Sequence, residues 1–288
     1  MADRGRGTLA LLLSALVAVA GCGATAGPIG TATPASPAPG SPGGPGGPGG
    51  PGSAATVTVA AAADLRFAMD ELVAAYAAVA PATKVEVSYG SSGAFYAQIS
   101  SGAPFDLFFS ADIDYPRRLE AAGLGAGPTR PYAVGRIVLW VPASSPIEVE
   151  GRGLEALLDP GVERIAIANP EHAPYGRAAV AALRSAGLYD QVAGRFVLGE
   201  NVSQAAQFVE SGAAQVGIIA LSLALAPTLR GQGRWWAIPL ESYPTIEQGA
   251  LVLRGATDPG AAGRFLDFVL GPHGRTILDR YGFRLPGS

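Results

Sequence analysis

From Thr56 onward the chain repeats one pattern: a short β-branched or apolar run, a turn of Gly, Ser, Asn or Asp, then a longer alanine-rich stretch with helical spacing. Parallel strands need crossover connections, and helices supply them, so this alternation predicts an α/β fold with largely parallel sheets. Strands are expected at 57–60, 84–88, 106–109, 137–141, 164–168, 216–220 and 250–253, and helices at 65–78, 93–100, 115–122, 177–185 and 203–211. A first βαβαβ unit ends near Asp112, an apolar segment at 132–140 leads into a second unit, and residues 261–281 read as two closing helices. Two α/β lobes are therefore expected, one from 55–134 with 246–288 and the other from 135–245, with hinge crossovers near 133–136 and 243–249. No sequence repeat relates them.

The first residues are of another kind. Arg4 and Arg6 precede an apolar run at 9–20, and Val19-Ala20-Gly21-Cys22 follows. That order is a secretory signal, too short to span a bilayer comfortably. Cys22 is the single cysteine and sits at a lipobox position, so residues 1–22 are expected to be a signal peptide ending at a lipidated thiol. One thiol forms no internal disulfide, which leaves the exported domain to its hydrophobic core. Residues 23–54 are mostly Pro and Gly and are expected to form a disordered tether. Beyond them roughly 230 residues remain, enough for a sizeable core. A net charge of −3 with 15% charged residues supplies neither the basic stripe of a nucleic-acid binder nor a polybasic membrane patch.

In open α/β sheets ligands bind beyond the carboxyl ends of strands, where helix starts present unpaired N–H groups. Four turns of this type stand out. Ala61-Ala62-Ala63-Asp64-Leu65 places Asp64 as a helix N-cap, and Tyr89-Gly90-Ser91-Ser92-Gly93 offers two hydroxyls and a close backbone approach. Asn169 through Arg177 opens a helix with backbone amides near Tyr175 and Gly176, and Gly199-Glu200-Asn201-Val202-Ser203 opens another with Asn201 or Ser203 as cap. Each is also an ordinary loop and cap; His172 reads as a packed or turn-bonding residue. Four helix starts around one cleft would surround an anion with partial positive charge. Arg177, near a helix start, would suit a more highly charged or partly protonated guest.

At these residues the chain resembles the periplasmic molybdate-binding proteins of ABC transporters, which have a type II periplasmic binding protein-like fold. The similar stretches are 57–65, 89–112, 169–176, 199–206 and 217–220, the most specific being Gly102-Ala103-Pro104-Phe105-Asp106 through Ser110-Ala111-Asp112. The resemblance implies a molybdate or tungstate oxyanion held between two lobes without a cofactor, and with no free metal cation. It places a binding serine at Ser92 with Ser91 beside it, and backbone amide donors at Tyr175 and Val202. It implies delivery to a membrane permease driven by a cytoplasmic ATPase, a monomer anchored through Cys22, and a place on the outer face of the cytoplasmic membrane or in the periplasm. Two positions depart from the pattern: Asp64 stands where a binding serine is usual, and Ala220 where a tyrosine hydroxyl usually reaches the ligand. Asp64 is left four roles: capping its helix, pairing with Arg66 or Arg177, donating as a protonated acid, or coordinating a metal directly. The competing readings are a binding protein for sulfate, phosphate or a metal complex, and an extracytoplasmic enzyme using Asp112 with Asp114 or Glu171 with His172. No activated-nucleophile or metal-cluster spacing accompanies those acids.

Overall fold

The computed structural model describes residues 55–285. The expected signal peptide, Cys22 and the tether lie outside the described residues. Among the described residues ten strands form two five-stranded sheets. The first contains β1 (Ala55–Ala62), β2 (Thr83–Gly90), β3 (Leu107–Ser110), β4 (Arg130–Gly135) and β10 (Ile246–Val252), in the order β2-β1-β3-β10-β4. The second contains β5 (Ile137–Pro142), β6 (Ile165–Ala168), β7 (Phe196–Gly199), β8 (Val216–Ala220) and β9 (Gly233–Ala237), in the order β7-β6-β8-β5-β9. The central strands β3, β6 and β8 are buried along their whole length, because helices cover both faces; their sequences LFFS, IAIA and VGIIA accordingly lack a polar alternation.

The two sheets share one plan. In the first, β1 runs parallel to β2 and β3, while β10 runs against β3 and β4; in the second, β6 runs parallel to β7 and β8, while β5 runs against β8 and β9. The reversed strand in each sheet is the one that arrives from the other lobe: β4 continues through Arg136 into β5, and β9 continues through residues 238–245 into β10. Each crossing leaves one sheet at its carboxyl edge and enters the next running backwards. The carboxyl ends of both parallel sets therefore face the same gap, where such folds bind ligands.

The helices are α1 (Arg66–Val79), α2 (Ser92–Ser100), α3 (Asp114–Ala121), the single turns α4 (Val149–Arg152) and α6 (Tyr189–Val192), α5 (Pro174–Ser185), α7 (Val202–Glu210), α8 (Leu221–Ala224), α9 (Pro259–Leu270) and α10 (Pro272–Arg280). Helices α9 and α10 are the two closing helices, and α10 packs on α1. Each lobe has its own core, yet the division is not clean. Ala62, Ala63 and Ala111 of the first sheet's turns join the second lobe's cluster, so the lobes are shut on each other. Trp140 is buried in that cluster, while Trp235 and Trp236 are half-buried against it.

Candidate anion site between the lobes

Four turns line one cavity in the gap: Ala62, Ala63 and Asp64 after β1, Gly90, Ser91 and Ser92 after β2, Ala173, Pro174 and Tyr175 at α5, and Asn201 and Val202 at α7, with Ala111 closing the floor. The cavity measures only about 10 Å³, room for about one water on this measure. Asp64 is its one charged lining residue.

Helices α2, α5 and α7 all begin at the cavity. The first amides of a helix have no partner inside it. Among the described residues the N–H groups of Ser92, Tyr175 and Val202 donate to no other backbone oxygen. The neighbouring amides are already engaged: Ala94 N–H donates to the Ser91 hydroxyl at 3.3 Å, and Gln204 N–H to Asn201 Oδ1 at 3.1 Å. Asn201 and Ser91 are thus caps as well as lining, and their side-chain acceptors are occupied.

The two serines of the second turn differ. Ser92 is fully buried, and its Oγ accepts the Ala111 N–H at 2.9 Å, which leaves its own hydrogen to point at a guest. Ser91 Oγ lies 2.9 Å from His172 Nδ1 across the gap. His172 Nε2 in turn is 3.8 Å from a Glu200 carboxylate oxygen. Sequence separation hid this hydroxyl–imidazole–carboxylate row, whose members come from different lobes. Further bonds cross the gap: Gly93 N–H to the His172 carbonyl at 3.0 Å, Ser203 Oγ to the Ala63 carbonyl at 2.9 Å, and Ser222 Oγ to the Asp64 carbonyl at 2.7 Å.

Arg177 is not part of the cavity. The turn of α5 carries it to a neighbouring cleft, where it pairs with Asp112 and donates to the Tyr115 hydroxyl at 3.2 Å. It joins the lobes from the rim instead of facing a guest.

Asp64 does not cap its helix either. The short helical turn it lies in and α1 beyond it have no side-chain cap, because the carboxylate points into the lobe interface. There Oδ2 accepts the Tyr175 hydroxyl at 2.9 Å and Gln248 Nε2 at 2.8 Å. Neither expected arginine reaches it, since Arg177 is held by Asp112 and Arg66 lies over the Tyr89 ring. Among the described residues no group of three or more His, Cys, Asp or Glu gathers around it or elsewhere that could hold a metal ion. Burial raises its pKa to about 6, with the hydrogen bonds from Gln248 and Tyr175 and the nearby backbone N–H groups of Asp64 and Leu65 opposing that shift. Gln248 was not anticipated, although a glutamine in the apolar strand IEQGALV is the kind of buried polar residue that asks for a partner. Ala220 ends β8 as expected and brings no hydroxyl; Ser222, two residues later, engages the Asp64 backbone.

The described arrangement is a small chamber at three helix starts between two like lobes. The family described as bacterial extracellular solute-binding protein matches residues 57–284. This chain belongs to that family. Among relatives of this solute-binding protein, the molybdate-binding protein ModA of Azotobacter vinelandii is 36% identical over 233 residues, covering 81% of the chain and 91% of the relative. ModA of Rhodobacter capsulatus is 36% identical over 200 residues, covering 69% and 77%. The solved structure of the Azotobacter vinelandii periplasmic molybdate-binding protein superposes with a TM-score of 0.75 at 32% identity, over 80% of this chain and 99% of that one.

Proposed function

We propose that this solute-binding protein captures molybdate, or tungstate in its place, outside the cytoplasm and delivers it to the permease of an ABC importer powered by a cytoplasmic ATPase. The observation that carries the reading is the convergence of three helix starts and the free hydroxyl hydrogen of Ser92 on a chamber lined by no cation. Such a set of donors complements a guest that only accepts hydrogen bonds, and helix N-termini favour negative charge. The relatives named for molybdate support the choice of anion.

In this reading Ser92 Oγ and the amides of Tyr175 and Val202 hold the oxygens, with Ser91 and Asn201 fixing the helix starts that aim those amides. Arg177 and Asp112 act as a rim clasp. The lobes are 55–134 with 246–288 and 135–245, hinged at the two crossovers, and closure is the state the permease reads. Residues 1–22 direct export, Cys22 carries the lipid, and 23–54 tether a monomeric head to the outer face of the membrane. Molybdate is cargo, neither cofactor nor substrate of a reaction, and no turnover is expected. Calorimetry of the purified protein against molybdate, tungstate, sulfate and phosphate tests the assignment. Binding of the first two with clear preference over the last two supports it; failure to bind any of the four overturns it.

A further inference from the structure

We propose that the pocket takes up its oxyanion together with one proton drawn from solvent, and that the Asp64 carboxyl holds that proton. The inference rests on the capture reading above and adds a regulation to the same site. It begins from a contradiction in charge: Asp64, a residue only 1% exposed whose carboxyl is held by Tyr175 and Gln248, stands among the lining of the chamber proposed to hold a dianion. Like charges at close range in a desolvated site favour the neutral form of whichever group can accept a proton. Hydrogen molybdate is a weak acid of about ordinary carboxylic strength, so it is the full burial of the Asp64 carboxyl, which already favours its neutral form, that places the proton there.

The surroundings of Asp64 are short of hydrogen. Oδ2 receives two bonds, from Tyr175 and Gln248, whereas Oδ1 has only the approach of the Asp64 and Leu65 backbone N–H groups, short of hydrogen-bond geometry, and the Gln248 side-chain oxygen is buried without a partner. A proton on the carboxyl gives the underused Oδ1 a hydrogen to donate, which the ionised carboxylate lacks. Among the described residues no cationic side chain pairs with the carboxyl, since Arg177 is held by Asp112 and Arg66 lies over Tyr89. The elements packed around Asp64 contribute Tyr132 from β4, Tyr175 from α5, Gln248 from β10, and the hydroxyls of Ser203 in α7 and Ser222 in α8 through the adjoining backbone carbonyls. Burial, reinforced by the nearby Asp64 charge, pushes both tyrosines well above the ordinary phenol range, so they stay neutral. The crossover leaves no slack there, because a Cβ at Gly135 would stand 2.2 Å from the Tyr175 hydroxyl and 2.7 Å from Gln248 Nε2.

Asp64 is therefore the member of this cluster that changes charge. With its pKa already raised to about 6 by burial, it is mostly ionised at pH 7.5 before the guest arrives. A dianion in the chamber raises it further, and the proton is taken up on binding. Affinity then falls as pH rises, by close to tenfold per unit between the pKa before binding and the higher one after it.

The test is calorimetry of the full chain with molybdate at pH 7.5 in buffers of different ionisation enthalpy, repeated from pH 6.5 to 8.5. The expected result is net uptake approaching one proton per anion, lost in Asp64→Asn, whose affinity is flat across that range. His172 contacts Ser91 at the same chamber, so His172→Gln is the control and is expected to keep the uptake. An infrared carboxylic-acid carbonyl band appearing on anion addition, and absent from Asp64→Asn, reports the same proton independently. Should Asp64→Asn fail to fold, the wild-type uptake, pH slope and infrared band still decide. Anion binding with no proton uptake, or uptake that persists in Asp64→Asn or vanishes in His172→Gln, overturns this inference and leaves the capture reading standing. Absence of binding at every pH overturns both.

Discussion

Replacing Ser92 with alanine removes two hydrogen bonds of different kinds, and their effects can be separated. The Oγ accepts the Ala111 N–H at 2.9 Å, and Ala111 is 2% exposed, so the orphaned amide gains no water. Leaving a buried donor unsatisfied costs about 1–3 kcal/mol of stability. The hydroxyl hydrogen, directed at an anion, is a charge-assisted donor worth about 1.5–3 kcal/mol. At about 1.4 kcal/mol per tenfold, that corresponds to roughly 10- to 100-fold in affinity. Urea unfolding without anion measures the first quantity, and calorimetry with molybdate the second. Ser91→Ala is the internal contrast: its hydroxyl caps α2 and faces His172, so it is expected to lower stability by about 0.5–2 kcal/mol with a smaller change in affinity than Ser92→Ala. If Ser92→Ala loses stability but binds molybdate as tightly as wild type, the hydroxyl only props up Ala111 and the assignment of Ser92 as a ligand donor is wrong.

Other expectations rest on equally local geometry. A Cβ at Gly176 would lie 2.1 Å from the Ala168 carbonyl oxygen, so Gly176→Ala must displace the start of α5; a loss of about 1–3 kcal/mol in denaturant unfolding is expected, together with weaker anion binding, and a variant unchanged in both contradicts the close-approach argument. Arg177→Ala breaks a rim ion pair whose side chains are 39% and 28% exposed, so no more than about 1 kcal/mol of closure is at stake; binding should weaken by under about tenfold, and small-angle scattering should show a more open anion-free form. Asp106 accepts bonds from Thr58 N–H at 2.6 Å, Thr58 Oγ1 at 2.7 Å and Thr257 N–H at 2.7 Å, and these outweigh its burial to hold its pKa below the ordinary 3.8. A depressed carboxylate stabilises the fold above its unfolded pKa and loses that contribution as pH falls through the folded one; the melting-temperature gap between wild type and Asp106→Asn should be full above pH 5 and shrink below pH 4, and a gap independent of pH refutes it.

The periodic parts of this fold were readable in the sequence, and the parts set by tertiary contact were not. Buried central strands such as LFFS and VGIIA announce themselves as apolar runs between turns, and the alanine-rich helices follow them. Strands β7 and β9 escaped notice because they are half-exposed edge strands, FVLG and GRWWA, without a clean period of two. The break between β4 and β5 lay hidden inside one apolar stretch, where only Gly135 and Arg136 mark the passage from sheet to sheet. At the site, the turns singled out in the sequence carry Ser91, Ser92, Tyr175 and Asn201 to the cavity, together with Val202, which only the family resemblance had pointed to as a donor. The fates of Asp64 and Arg177 depended on partners 111 and 65 residues away, which no local pattern encodes.

The central claim is that amides from helix starts in both lobes, with the Ser92 hydroxyl, hold one oxyanion. A crystal structure of the protein grown with tungstate tests it directly, because the anomalous signal of tungsten locates the anion without reference to the protein map. The expected peak lies between the lobes, its oxygens within hydrogen-bond distance of Ser92 Oγ and the N–H groups of Tyr175 and Val202. A strong peak elsewhere, with the interlobe chamber holding only water, would contradict the claim.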